Sequence, residues 1–143
     1  MDTDEVAKAR ILVMRGGQCW SLLSRKRAEG DPQRHDKLEM LGGHLEVGES
    51  PRVALGRELA EEESSGRLAR LVEQARPRFR SEVADGALHH LFELEIDDFE
   101  AESLSHDPEE SLGFELVPTR ELESGALDER LTPRTRHILK AFG

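Results

Sequence analysis

Cysteine is almost missing from this chain of 143 residues: Cys19 stands alone. That excludes an intrachain disulfide framework and a zinc cluster built from cysteines. Long apolar runs are missing too, and nothing approaches the roughly 18 consecutive residues of a membrane-spanning helix. The histidines, His35, His44, His89, His90, His106 and His137, show neither H-x3-H nor H-E-x-x-H spacing, which disfavours a zinc site. Positive charge is scarce: 20 Lys and Arg face 30 Asp and Glu, for a net charge of −10. Such a field repels phosphate backbones and disfavours RNA or DNA polymers as partners. A small anionic substrate would need bound cations to mediate the encounter. The opening Met1-Asp2-Thr3-Asp4-Glu5 is acidic where a secretory or organelle leader is basic. A cytoplasmic protein without membrane association is expected.

What is present is one domain's worth of chain, expected to span 1–143, with 36% hydrophobic and 35% charged residues. Ile11 to Met14 and Cys19 to Leu23 are apolar runs around Gly16-Gly17 and read as two strands joined by a glycine turn. Arg25 to Asp36 reads as a surface loop, and Leu38 to Leu41 as a short strand entering Gly42-Gly43. Ser50-Pro51 supplies a hydroxyl N-cap followed by proline at the first helical position. That predicts a helix to about Ser64, with Gly66 as its left-handed stop. Ala87 to Ile96 alternates at period two and Phe114 to Val117 is apolar, so both read as strands. Thr132-Pro133 repeats the cap-plus-proline signal ahead of a terminal helix. Interleaved strands and helices predict an α/β fold.

The first long helix carries Glu58, Glu61 and Glu62 at i, i+3 and i+4, within an arc of about 100°. Like charges so placed weaken an isolated helix by a few tenths of a kcal/mol per pair. Two readings stand: a solvated acidic face, or a cradle for a hard divalent cation that also takes phosphate oxygens. Glu63 follows Glu62 but points away from this arc, so Glu63→Gln is expected to cost little. Gly56 and Ala60, four apart, read as a small-residue contact of the helix with the sheet. Trp20, Phe79 and Phe92 could stack on a base, although core burial is the favoured reading of each.

These residues stand in a longer register. Gly43-HLEVG-Glu49-SPRVALG-Arg57-Glu58-Leu59-Ala60-Glu61-Glu62-Glu63-Ser64-Ser65 resembles the Nudix box, G-x5-E-x7-R-E-U-x-E-E-x-G-U with U aliphatic. Seven of its nine specified positions match with both internal spacings intact, a specific signal for so long a motif. Ser64 and Ser65 depart from the family's glycine and aliphatic residue, and Leu41-Gly42-Gly43 stands where members often carry Pro-Gly-Gly.

The resemblance implies a Nudix-type α/β/α sandwich with a mixed β-sheet, forming a single Nudix hydrolase domain. It implies cleavage of the pyrophosphate bond in a nucleoside diphosphate linked to another group, such as a nucleoside triphosphate, with Mg2+ or Mn2+ as cofactor. Carried over by position, Glu61 and Glu62 are the principal metal ligands, and Glu58 is a further ligand or the base that activates water. Arg57 pairs with Glu49 to tie helix to loop. Gly42 and Gly43 let the substrate approach the backbone, and Gly43 lies beside the metal. Glu110 is the candidate supplementary ligand, with Glu93, Glu95 and Glu109 as rivals. The expected partner is a small-molecule nucleotide. Oligomeric state is open, a homodimer included. The alternative is a catalytically silent Nudix-fold domain that binds nucleotides or regulates.

Overall fold

The computed structural model describes residues 2–75, 79–84 and 86–142. A long first strand, β1 (Asp2–Arg15), turns through Gly16 and Gly17, both at positive φ, into β2 (Gln18–Lys26). Two consecutive left-handed residues suit a two-residue hairpin turn, which is why glycine occupies both places. The short β3 (Leu38–Glu39) and β4 (Leu41–Glu46) lead to helix α1 (Pro51–Glu62), capped by the Ser50 hydroxyl, which accepts from Val53 N–H at 3.2 Å. Then come α2 (Arg67–Ala75), β5 (Phe79–Ala84), β6 (Ala87–Ile96), α3 (Asp98–Glu102), β7 (Ser111–Pro118), α4 (Thr119–Ser124) and α5 (Pro133–Phe142).

The seven strands form one mixed sheet with β1 at its centre. On one side β6 runs parallel to β1 from Glu5 to Val13. On the other side β1 has two antiparallel partners in succession: β4 against Val6 to Ala9, then β2 against Ile11 to Arg15. The sheet therefore forks at Arg10, where β4 and β2 part. Alternation along β1 sends every second side chain, from Ala7 to Val13, into one core. Ala7, Ala9, Ile11 and Val13 join Leu55 and Leu59 of α1 and Leu68 and Val72 of α2. On the opposite face, Leu91 of β6 and Val117 of β7 pack with Ile138 and Phe142 of α5. Helices on both faces of a mixed sheet make the α/β/α sandwich that the sequence implied. No helix among the described residues is long and apolar enough to cross a membrane.

Several expectations need correction. Strand β1 begins at Asp2 rather than near Ile11, because Val6 to Ala9, interrupted by the charge of Lys8, is paired on both sides. Helix α1 stops at Glu62: Glu63 is extended, with φ −127° and ψ 112°. Gly66, at φ +80°, turns the chain into α2 instead of ending α1. Gly56 and Ala60 do not touch the sheet. A Cβ on Gly56 would meet nothing within 4 Å, and Ala60 is exposed.

Candidate active site

The glycine pair following β3 is the floor of the site. Gly42 has φ +121°, and a Cβ there would come within 2.1 Å of the Ala7 carbonyl oxygen on β1. Only glycine allows β4 to lie this close to β1. The Gly42 N–H, in turn, donates to the Glu62 carboxylate at 3.2 Å. Gly43 has ordinary φ, but a Cβ on it would fall 2.5 Å from the carboxyl carbon of Glu58. Gly42 thus offers an N–H to Glu62, and Gly43 leaves room for the carboxylate of Glu58.

Arg57 fixes how α1 meets the preceding loop. Its guanidinium donates to both oxygens of Glu49 at 2.8 and 2.9 Å and to the His44 carbonyl at 3.0 Å. It reaches Glu58 at 3.1 Å and Glu61 at 3.3 Å as well. The fork-on-carboxylate geometry is the strong form of an arginine ion pair. The Arg57 hydrogen bonds, aided by the Glu46 backbone, hold the Glu49 carboxyl at about 2. Glu49 in its turn raises Arg57.

Burial governs Glu62 and Glu58. It pushes Glu62 up to about 8, with Glu58 and Glu39 adding to the rise against the opposing pull of Lys8 and the Gly42 N–H. Burial and the neighbouring Glu61 also raise Glu58. Lys8, 4% exposed, donates from Nζ to the Met40 and Gly42 carbonyls at 3.2 and 3.1 Å. It secures the backbone on which Gly42 presents its N–H to Glu62.

Glu58, Glu61, Glu62 and Glu110 line one cavity of about 720 Å³ together with Gly42, Gly43 and Arg57. Glu49 stands behind it, on Arg57. Glu110, exposed on the turn before β7, reaches this cavity, whereas its rivals Glu93, Glu95 and Glu109 are not on its wall. Among the described residues, no three His, Cys, Asp or Glu side chains converge closely enough to hold an ion. The donors nevertheless have the right chemistry for a hard cation: oxygen only, one of them the half-buried Glu62 carboxylate, whose ionised form a positive partner favours. Convergence would require Glu58 and Glu61 to turn from Arg57.

Some residues singled out earlier lie elsewhere. Phe92 is 1% exposed in the first core, and Trp20 packs against that core; the Phe79 side chain lies outside the described residues. His89 is buried with Nε2 2.9 Å from the Ala84 carbonyl, and His90 sits between Ser81 and Glu5. Glu63 does face away from the cavity, but it is fully buried. Its carboxylate accepts from the backbone N–H groups of Ser65, Arg67 and Ser105 at 2.9 to 3.1 Å. Sequence reasoning also passed over Lys8, Lys26, Glu39, Arg34 and Arg134 on the cavity wall. No local pattern marks these five, because they come from β1, the β2–β3 region and the start of α5.

A family model described as NUDIX domain matches residues 5–142. Among curated proteins, none matches the chain. Solved structures with similar folds include a Nudix hydrolase, RenU, from M. smegmatis, with a TM-score of 0.61 and 17% identity over 95% of this chain and 81% of that one. A C. elegans Ap4A hydrolase in a binary complex gives 0.60 and 13%, over 96% and 93% of the two chains. The NUDIX domain of Shewanella oneidensis NrtR, complexed with ADP ribose, gives 0.62 and 12%, over 95% and 83%. Identities this low speak to the fold.

Proposed function

We propose, since this chain belongs to the NUDIX domain family, that its α1 cavity is the active site of a pyrophosphohydrolase acting on small nucleotides. The observation that carries this reading is the gathering of Glu58, Glu61 and Glu62 at one cavity whose wall includes Gly42 and Gly43. In the reaction, water attacks phosphorus and the bridging P–O bond of a nucleoside diphosphate derivative breaks, leaving two phosphate products. A divalent cation, magnesium or manganese, supplies charge neutralisation on the phosphate oxygens when bound.

The residues divide the remaining work. Glu61 and Glu62 would hold the cation, with Glu110, on the lining of the same cavity, as a supplementary ligand. Glu58, raised by burial, either adds a ligand or takes the proton from the attacking water. Arg57 is a positioning residue: through Glu49 and the His44 carbonyl it fixes the pitch of α1 over the β4 loop. Gly42 and Gly43 allow the phosphates to approach the backbone. The whole of 1–143 acts as one domain, and a reducing cytoplasm suits the free thiol of Cys19.

The deciding experiment is a phosphate-release screen over nucleoside triphosphates, dinucleoside polyphosphates, nucleotide sugars and ADP-ribose, with magnesium and with manganese. Turnover of at least one class, lost in Glu62→Gln, is the expected result. Binding without turnover across the whole panel would overturn it in favour of a silent nucleotide-binding domain.

A further inference from the structure

A chain with a net charge of −10 is poorly suited to attract a polyanion, yet the cavity at α1 has a cationic wall. Lys8, Lys26 and Arg34 surround the carboxylate of Glu39. Burial pushes that carboxyl up, but the three cations hold it below its usual range. Arg134, in the first turn of α5, lines the same cavity, and the positive end of that helix dipole adds to the field. Glu39 faces Lys8, Lys26 and Arg34 together, so these cations outnumber the carboxylate they surround.

Arg134 Nη1 lies 3.4 Å from His44 Nε2, and Lys26 and Arg34 are held more loosely than Arg57. Lys26 Nζ lies 3.5 Å from Glu39, and Arg34 Nη1 lies 3.9 Å from Asp31. Both separations exceed the roughly 2.8 Å of a charge-assisted hydrogen bond, so little is lost when either side chain turns to a new anion. No phenylalanine or tryptophan lines the cavity among the described residues, so a base has no large ring to stack on there. The chemistry of this wall suits phosphate oxygens.

We propose that Lys26, Arg34 and Arg134 read phosphates beyond the scissile bond, so that substrates with three or more phosphates in series are preferred over those with two. This rests on the pyrophosphohydrolase reading above and adds specificity residues that lie outside the α1 motif. Lys8 stays fastened to its two carbonyls and contributes field from behind.

Two measurements test it. The first compares KM and kcat for GTP and for ADP-ribose in the native protein, in Arg34→Gln, in Arg134→Gln and in Lys26→Gln. Each loss of a cation should raise the KM for GTP about tenfold relative to that for ADP-ribose, with the effect in KM more than in kcat. Arg34→Lys should restore part of the preference. The second is calorimetric binding of inorganic tripolyphosphate and pyrophosphate to the metal-free protein at matched ionic strength. Tripolyphosphate should bind at least about tenfold more tightly, and Arg34→Gln/Arg134→Gln should erase the difference. Equal affinity for the two anions in the native protein, or an unchanged preference in the double variant, overturns the proposal. Tripolyphosphate binding without hydrolysis of any nucleotide would leave the cationic wall standing and bring down the pyrophosphohydrolase reading.

Discussion

Gly43 and Glu58 are matched by subtraction: the hydrogen at the Gly43 Cα leaves the space that the Glu58 carboxylate occupies, 2.5 Å from where a Cβ would be. Gly43→Ala should therefore displace Glu58 and lower turnover by on the order of tenfold to a hundredfold, through misplacement of a reacting group. Gly56→Ala is the counterpart. Its Cβ would meet open space inside α1, so it should stabilise the fold by up to about 1 kcal/mol with turnover retained. Turnover assays and urea unfolding of the two variants check both.

The Arg57–Glu49 pair should show strong coupling. Arg57→Gln and Glu49→Gln should each weaken turnover, and in a double-mutant cycle the two should interact by about 1–2 kcal/mol. The pair also sets an acid limit. Glu49 is held at about 2 in the folded chain, well below its ordinary value of 4.5. Stability from the pair is complete above about pH 4.5 and is lost as pH falls toward 2. Melting curves from pH 2 to 6 should show this loss in the native protein and a shallower one in the double variant.

Glu62 gives the opposite sign. Its folded value of about 8 lies above the ordinary 4.5, so between those values the unfolded chain gives up a proton that the folded chain keeps. Rising pH then favours unfolding until about pH 8 is passed. In metal-free protein at pH 8, Glu62→Gln should be the more stable form by about 2–4 kcal/mol. Magnesium should raise the melting temperature of the native protein at this pH by mass action, and sodium at equal ionic strength should not. Loss of both effects would mean that the carboxylate is solvated.

Glu63 should behave as a structural residue. A glutamine there puts an amide NH2 against backbone N–H donors that now meet a carboxylate oxygen. Leaving those donors without an acceptor should cost about 2–3 kcal/mol. Chemical denaturation should register this cost, and KM should move little in the protein that remains folded.

What the sequence made legible follows from spacing. The carboxylates of α1, the Ser50 cap and the Arg57–Glu49 pair belong to one continuous stretch with a fixed register, and the structure keeps all three. Strand β6, from Ala87 to Ile96, shows its alternation plainly. Helix α2 was readable in principle, since Leu68, Leu71 and Val72 recur at helical spacing, and Asp97 with Glu100 forms a capping box at α3. The N-terminal half of β1 was not readable. Lys8 is buried there because two carbonyls of another segment receive its ammonium, a circumstance no local pattern announces. The cationic wall was illegible for the same reason, since Lys8, Lys26, Arg34 and Arg134 share no local pattern and meet only in the fold.

The end of α1 is fastened to a segment some forty residues downstream. Ser64 N–H donates to the Ser105 carbonyl at 2.7 Å, Asp107 N–H to the Glu62 carbonyl at 3.1 Å, and Glu63 bridges to His106. Ser64 and Ser65, which stand where glycine and an aliphatic residue are usual, thus lie in a closure made between distant segments. The order of folding follows from this. Loop-closure entropy must be met before such contacts return anything, so the helix can form early while its last turn waits for β6 and α3 to dock. On this account the carboxylates proposed as ligands, Glu61 and Glu62, take their places late, and a peptide spanning the motif alone should carry these residues without holding them in place.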